Sequence, residues 1–325
     1  MQSTPRSRLK VGVVGGTGLV GRHIVEALVA AGSERVTATH HTRPNFVAKG
    51  VDWLRCDLRA PGSVRPALQG IDVAVLCAGR VSTSSVLRAD PVASVLDTLR
   101  VVTNVLEVAA ELRVPRVILV SSCTGYPELP GAAVEGDMFT GDPPAGWFGV
   151  GWMHRYLEAQ VRWYAEHLGR FGSAISLRPS LIYGPYDDFA SETGHFVPAM
   201  IRRVVDRERP IEVWGDGTQS RNLLHAADLA EAILAVLQGE ARYEAFNVTS
   251  RDDVTVNELL RHLLDVDGFN DAVVKHDLDR VPGAAALSVS GQAFAAAKAW
   301  SSRIGFKQGV SGTLDWYRRS LSGSR

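Results

Sequence analysis

The stretch Val11-Gly-Val-Val-Gly15-Gly-Thr-Gly18-Leu-Val-Gly21 decides the fold. The small and apolar residues after Lys10 read as a buried strand. Gly15, Gly18 and Gly21 then recur at G-x-x-G-x-x-G spacing, and Leu19, Val20, Ile24 and Leu28 continue as one face of a helix. The first glycine permits a tight turn, the second lets backbone approach a pyrophosphate, and the third lets helix pack on strand. The free N–H groups and positive dipole end of the helix then face the phosphates. A strand-to-helix turn that binds nothing is the plainer reading. The strand before and the helix after favour a dinucleotide site built from Gly15, Thr17, Gly18, Leu19, Val20 and Gly21.

The bulk properties narrow the rest. A chain of 325 residues with net charge +0 can bury a full core and has no charge excess suited to nucleic acid or an anionic membrane. It holds no run of about 18 apolar residues that would span a bilayer. Residues 1–10 are polar and basic, which predicts a disordered tail and no signal peptide. Cys56, Cys77 and Cys123 cannot all pair and show no C-x-x-C spacing, so neither a metal site nor a disulfide framework is expected. A reducing cytoplasmic setting fits.

Outward from the glycine loop, strands and helices alternate. Arg35 to His41 reads as a second strand. Its end decides cofactor choice, because an acidic residue there would bind the ribose 2′-hydroxyl of NAD. Here stand His40, His41, Thr42 and Arg43. Arg43 either pairs with a 2′-phosphate or is a solvated loop charge, and NADP is favoured over NAD. A third strand ends at Asp57-Leu58, where Asp57 either binds the adenine amino group or caps a helix. A fourth strand runs into Ala78 and Gly79, a helix spans 92–112, and Arg116 to Ser121 forms a fifth strand. Residues 122–149, rich in Gly, Pro and acids, form a long loop of the kind that is functional or a lid. A helix over 154–168 and a strand over 174–179 follow, leading to Pro179 and Ile182. This alternation predicts an α/β fold, a Rossmann-type doubly wound parallel sheet. Residues 11–184, with returning segments near 215–250, are assigned to it. Residues 185–214 and 251–325 are assigned to a smaller interleaved substrate domain.

The chain resembles the extended short-chain dehydrogenases/reductases of the NAD-dependent epimerase/dehydratase family. The glycine loop, Asp57, the Ser121 strand end, Arg178-Pro-x-x-x-Tyr-Gly-Pro185 and Trp214-Gly-Asp-Gly-Thr-x-x-Arg221-Asn-x-x-His225-x-x-Asp228 carry the likeness. Ser121-Ser-Cys123 before Tyr126-Pro, and His195-x-x-Pro-x-x-x-Arg-Arg203, are similar to the GDP-L-fucose synthase branch. That resemblance implies Cys123 and His195 as the acid/base pair for inversion beside a ketone, and Ser121 as a hydrogen-bond donor to the keto oxygen, with Ser122 and Tyr126 nearby. A proton alpha to a carbonyl is removed on one face and returned on the other, which needs two such groups. It further implies Arg203 and Arg221 at a nucleotide diphosphate, Trp214 on the nucleobase, and a homodimer through the helices near 92–112 and 154–168. Each residue also has a bland reading: a buried thiol, a helix-entry histidine, a strand-end hydroxyl, surface arginines and an interface tryptophan.

One family element is missing. None of Lys10, Lys49, Lys275, Lys298 and Lys307 follows a tyrosine at four residues, so no Tyr-x-x-x-Lys exists. Aligning the helix through Trp163-Tyr164 and Gly169 puts Val150 at the tyrosine position and His154 at the lysine position, where His154 would meet the nicotinamide ribose; sliding the frame gives Phe148 with Trp152, or Trp152 with Tyr156. Valine transfers no proton, so ordinary ketone reduction is expected to be weak. The sequence therefore points to an epimerase or isomerase on a 4-keto, GDP-linked sugar with bound NADP. A complete NADPH-dependent epimerase-reductase or dehydratase with an atypical acid (Tyr126 or His154) is one alternative. A non-catalytic NADP-binding sensor or partner subunit is another.

Overall fold

A computed structural model describes residues 9–42, 46, 48–80, 90–189, 194–280 and 288–322. Arg43 lies outside them, as do residues 1–8 of the expected tail; the tail is shorter than expected, since Leu9 is buried in the core and Lys10 opens the first strand. Strands β1 (Lys10–Val14), β2 (Arg35–His40), β3 (Val51–Arg55), β4 (Val73–Leu76), β5 (Arg116–Val120), β6 (Ser173–Pro179) and β10 (Tyr243–Val248) form one sheet of order β10-β6-β5-β4-β1-β2-β3. Every pairing in it is parallel. Val11, Val13, Ile118, Ile175 and Leu177 are fully buried, as strands covered on both faces must be. One face carries α1 (Leu19–Ala30) and α6 (Ala226–Ala235), which pack together through Ile24, Leu28, Leu229 and Ile233. The other carries α2 (Pro61–Leu68), α3 (Pro91–Glu111) and α4 (Phe148–Arg162), with Leu68, Leu106 and Leu157 as anchors. Strand order reverses beside β1, between β2 and β4. Such a switch point opens a crevice at the strand C-termini.

A second core sits apart. Strand β7 (Leu181–Tyr183) pairs with β9 (Ser220–His225), which also pairs antiparallel with β11 (Asp253–Thr255). Strands β8 (Ile211–Trp214) and β12 (Val274–Asp277) form a parallel pair. Helices α5 (Phe196–Val205), α7 (Val256–Asp267) and α9 (Phe306–Ser322) bury Val197, Ile201, Leu260, Leu263, Val310 and Leu314 against them. Of the stretch 215–250, only β10 joins the large sheet. Helix α8 (Gln292–Lys298) returns Phe294 to the first core.

Two sequence readings need correction. Helix α4 starts at Phe148, six residues earlier than apolar periodicity indicates, because Gly149 and Gly151 dilute the pattern; it ends in a π turn at Trp163–His167. The loop before it is not a free lid. Ala133 is stitched to 288–290 by two backbone hydrogen bonds of 2.8 Å, and Tyr126 and Met138 are buried beneath it.

Candidate functional site

The glycine loop shows why each glycine is needed. Gly15 has φ +95°, and a Cβ there would meet Ala78 backbone at 2.9 Å. A Cβ on Gly21 would sit 2.0 Å from the Gly15 carbonyl oxygen, so Gly21 serves helix–strand packing. Gly18 caps α1 with no side-chain bond, leaving first-turn N–H groups for a ligand. Thr39, which sequence reasoning missed, accepts the Gly15 N–H at 2.9 Å and fixes the turn. A cleft of about 390 Å³ opens here, lined by Gly15, Thr17, Gly18, Asp57, Leu58, Ala78 and Gly79 together with His40, His41, Arg59 and Arg80. Leu19 and Val20 open α1 at its edge. Pro179 and Ile182 stand in β6 and β7, and neither lines this cleft.

These residues fit a dinucleotide. The backbone cradle admits no Cβ at Gly15, and the His40 Nδ1 atom on the wall is buried without a partner among the described residues. Asp57 does not cap α2; Ala60 holds that position. Both Asp57 carboxylate oxygens accept from Arg59, at 2.9 Å from Nε and 2.8 Å from Nη2, and these bonds hold the carboxyl down at about 2. The fork is a cue lost in sequence because Asp-x-Arg is too common to signal.

The second group lies around the end of β5. The 123–125 turn packs on the start of α4: a Cβ at Gly151 would meet the Thr124 carbonyl oxygen at 2.7 Å. This brings Ser122 and Cys123 to the helix that carries Val150 and His154. Ser122 is part-exposed, and its Oγ accepts from the Thr124 N–H at 3.2 Å and the Thr124 hydroxyl at 3.0 Å. With both bonds accepted, its own proton is left to donate. Cys123 packs against the small core of Tyr126, Ala133 and Met138, and burial pushes its thiol up to about 11. His154 is desolvated and driven down to about 4, so it is a neutral imidazole at pH 7. Val150 is buried.

Ser121 and Tyr126 are committed elsewhere. The Ser121 hydroxyl donates to Glu158 at 2.5 Å, so its proton is not available to a keto oxygen. Glu158 is buried in a salt bridge with Arg178, at 2.6 Å to Nη2. Arg178 in turn donates to the Tyr126 oxygen at 2.8 Å, and the Tyr126 hydroxyl donates to Asn247 at 2.7 Å. Tyr126 is fully buried and burial pushes its hydroxyl up to about 12, which removes it as a substrate contact or substitute acid.

His195 is the N-cap of α5, and its Nδ1 lies 2.9 Å from Oδ1 of Asp187, a side chain only 4% exposed. Burial alone would lower the imidazole pKa; the hydrogen bond and charge of Asp187 outweigh it and raise the value. Asp187 carries no periodic or motif signal in sequence. Arg203 donates to the Glu212 carbonyl at 2.8 Å, tying α5 to β8, and so is not a free phosphate fork. Trp214 has the Arg280 guanidinium 5.1 Å from its ring centroid. Arg221, at the start of β9, is desolvated, which lowers its pKa. No group of three His, Cys, Asp or Glu suited to a metal ion occurs among the described residues, and no helix there is long and apolar enough to cross a membrane.

The family model for the NAD dependent epimerase/dehydratase family matches residues 11–249. The chain is 31% identical over 258 residues to a dTDP-4-dehydro-6-deoxy-D-allose reductase from a Streptomyces species, covering 76% of this chain and 78% of the relative. It is 26% identical over 319 residues to GDP-L-fucose synthase 1 of Arabidopsis thaliana, covering 96% and 94%. Among solved structures, the dTDP-glucose 4,6-dehydratase DesIV of Streptomyces venezuelae with NAD and TYD bound superposes with a TM-score of 0.83 at 21% identity, over 97% of this chain and 98% of that one.

Proposed function

The chain belongs to the NAD dependent epimerase/dehydratase family, and from that premise we propose that it moves protons beside the ketone of a 4-keto hexose linked to a nucleoside diphosphate. NADP is the favoured dinucleotide, since the β2 end offers His40 and His41 and no carboxylate. Such a cofactor would supply hydride chemistry when bound. GDP is the first carrier to test, because the GDP-L-fucose synthases align over nearly the whole chain.

The observation that carries the reading is the His195–Asp187 pair at 2.9 Å, in a chain with no Tyr-x-x-x-Lys. Asp187 accepts from Nδ1 and leaves Nε2 as the base. His195 Nε2 takes the proton from the carbon beside the ketone, and the electron pair moves onto the keto oxygen. The Ser122 hydroxyl, supported by Thr124, donates to that oxygen and takes the place expected for Ser121. Cys123 is half-buried and stays protonated because desolvation raises its thiol, and it returns a proton to the opposite face of the carbon. Solvent then resets the two groups. His154 contributes a neutral ring at the ribose side.

The test is incubation with GDP-4-keto-6-deoxymannose in heavy water without NADPH, followed by NMR of the sugar protons. Deuterium at carbon 3 or 5, abolished in His195→Asn and Cys123→Ser, supports the reading. Exchange on the dTDP-linked sugar alone reassigns the carrier. In a parallel incubation with NADPH added, its oxidation at a matching rate favours the complete epimerase-reductase, the reading that likeness to the allose reductase supports. No exchange or turnover with any 4-keto sugar leaves the sensor reading. We further propose a cytoplasmic homodimer, with the exposed Phe148, Trp152, Tyr156 and Trp163 of α4 and its π turn as the contact face.

A further inference from the structure

The loop that orients His195 is clamped from the far side. Tyr186, next to Asp187, has φ +74°, a left-handed conformation that a bulky side chain adopts only where packing holds it. Its ring receives the Arg22 guanidinium 3.4 Å from the centroid. The same guanidinium lies 4.1 Å from the ring centroid of Phe46, in the segment after β2. Trp316 of α9 meets Tyr186 edge-on at 5.1 Å, and His23 packs at 5.4 Å. Arg22 is held by Glu26, one turn on, at 3.0 Å. Arg22 follows Gly21 directly, so the helix that opens the dinucleotide cleft also grips the loop bearing the partner of His195.

We propose that Arg22 and Tyr186 are positioning residues that hold Asp187 on His195, so that the cofactor helix sets the state of the base. This deepens the proposed function, since it rests on His195 being that base. The contact is a planar cation on an aromatic face, and Arg supplies it where Lys cannot. The charged and titratable groups around it are Arg22, His23 and Glu26 from α1, Asp187 and Asp188 from the loop, and His225 from the end of β9. None of the basic ones can substitute for the hydrogen bond of Asp187 to Nδ1.

The experiment reads His195 without turnover. The titration of its imidazole is followed by NMR of histidine-labelled protein, with His195→Asn giving the assignment. Arg22→Met and Tyr186→Leu are expected to lower the His195 titration by about 1 pH unit, the loss of one close opposite charge. Tyr186→Phe, which keeps the ring, is expected to leave it at the wild-type value. An unchanged titration in both Arg22→Met and Tyr186→Leu, with native thermal melts, overturns the proposal. Because no substrate is used, a protein inactive on every 4-keto sugar would sink the proposed function and leave this result standing.

Discussion

Replacing Glu158 by Gln changes one atom at the centre of the buried network. The carboxylate accepts from Arg178 at 2.6, 3.0 and 3.1 Å and from Ser121 at 2.5 Å. Both partners of the ion pair are almost fully buried, 3% and 1% exposed, so water cannot replace the lost charge. Glutamine keeps the shape and turns an acceptor into an NH₂ group facing donors. Breaking a buried pair from one side costs about 3–5 kcal/mol, a large share of the roughly 5–15 kcal/mol that holds a domain together. Urea unfolding should therefore show a much lower midpoint for Glu158→Gln. The double variant Glu158→Leu, Arg178→Met removes both charges and should lose less than the two single changes summed. A Glu158→Gln protein within about 1 kcal/mol of wild type, or strict additivity in the double variant, would refute the view that this pair is a coupled, desolvated unit.

Three further outcomes are expected. Gly21→Ala drives a Cβ onto backbone and should lower the melting temperature and abolish dinucleotide binding, whereas Gly18→Ala meets nothing nearer than 3.6 Å and should weaken binding at least about tenfold with little change in melting; calorimetry and dinucleotide titration separate the two. His154 and His225 are both held at about 4 by burial, against 6.5 unfolded, so the unfolded chain binds more protons between those values. Their contribution is complete above pH 6.5 and is lost as pH falls toward 4, up to about 3 kcal/mol for each; a urea midpoint that stays flat from pH 7 to 4 contradicts this. Trp152→Glu with Tyr156→Glu charges the exposed stripe on α4 and should convert a dimer to monomer in sedimentation, while a wild-type monomer would remove the proposed interface.

The large sheet was legible because its signals are local. β1, β4, β5 and β6 read as apolar runs, the glycine loop names the first crossover, and parallel order follows from alternation. The second core was not. Strands β7, β8, β11 and β12 have three or four residues each, and the six-residue β9 is polar at its start and pairs across a long sequence gap, Asp253 with Asn222. Helix α9 was missed because Gly309, Gly312 and several polar residues interrupt it. Its apolar face, Val310, Leu314 and Tyr317, makes sense only against Phe189 and the α7 helix it covers.

Motifs in this chain name side chains without naming their direction. Ser121 and Ser122 are adjacent, identical and equally plausible in sequence. Yet the end of β5 turns one hydroxyl toward Glu158, beneath the sheet, and the other toward Thr124 at the turn. What separates them is a carboxylate thirty-seven residues on, which no local reading of Ser-Ser-Cys supplies. Tyr126 was lost for the same reason: Arg178 and Asn247, from β6 and β10, claim its oxygen. His195 was legible as a candidate, but its chemistry depends on Asp187, and Asp187 in turn sits beside a tyrosine held by the helix after the glycine loop. At the cleft, backbone geometry alone explains Gly15 and Gly21, where a Cβ would strike backbone atoms. The acid/base residues had to be sorted by who already holds each proton.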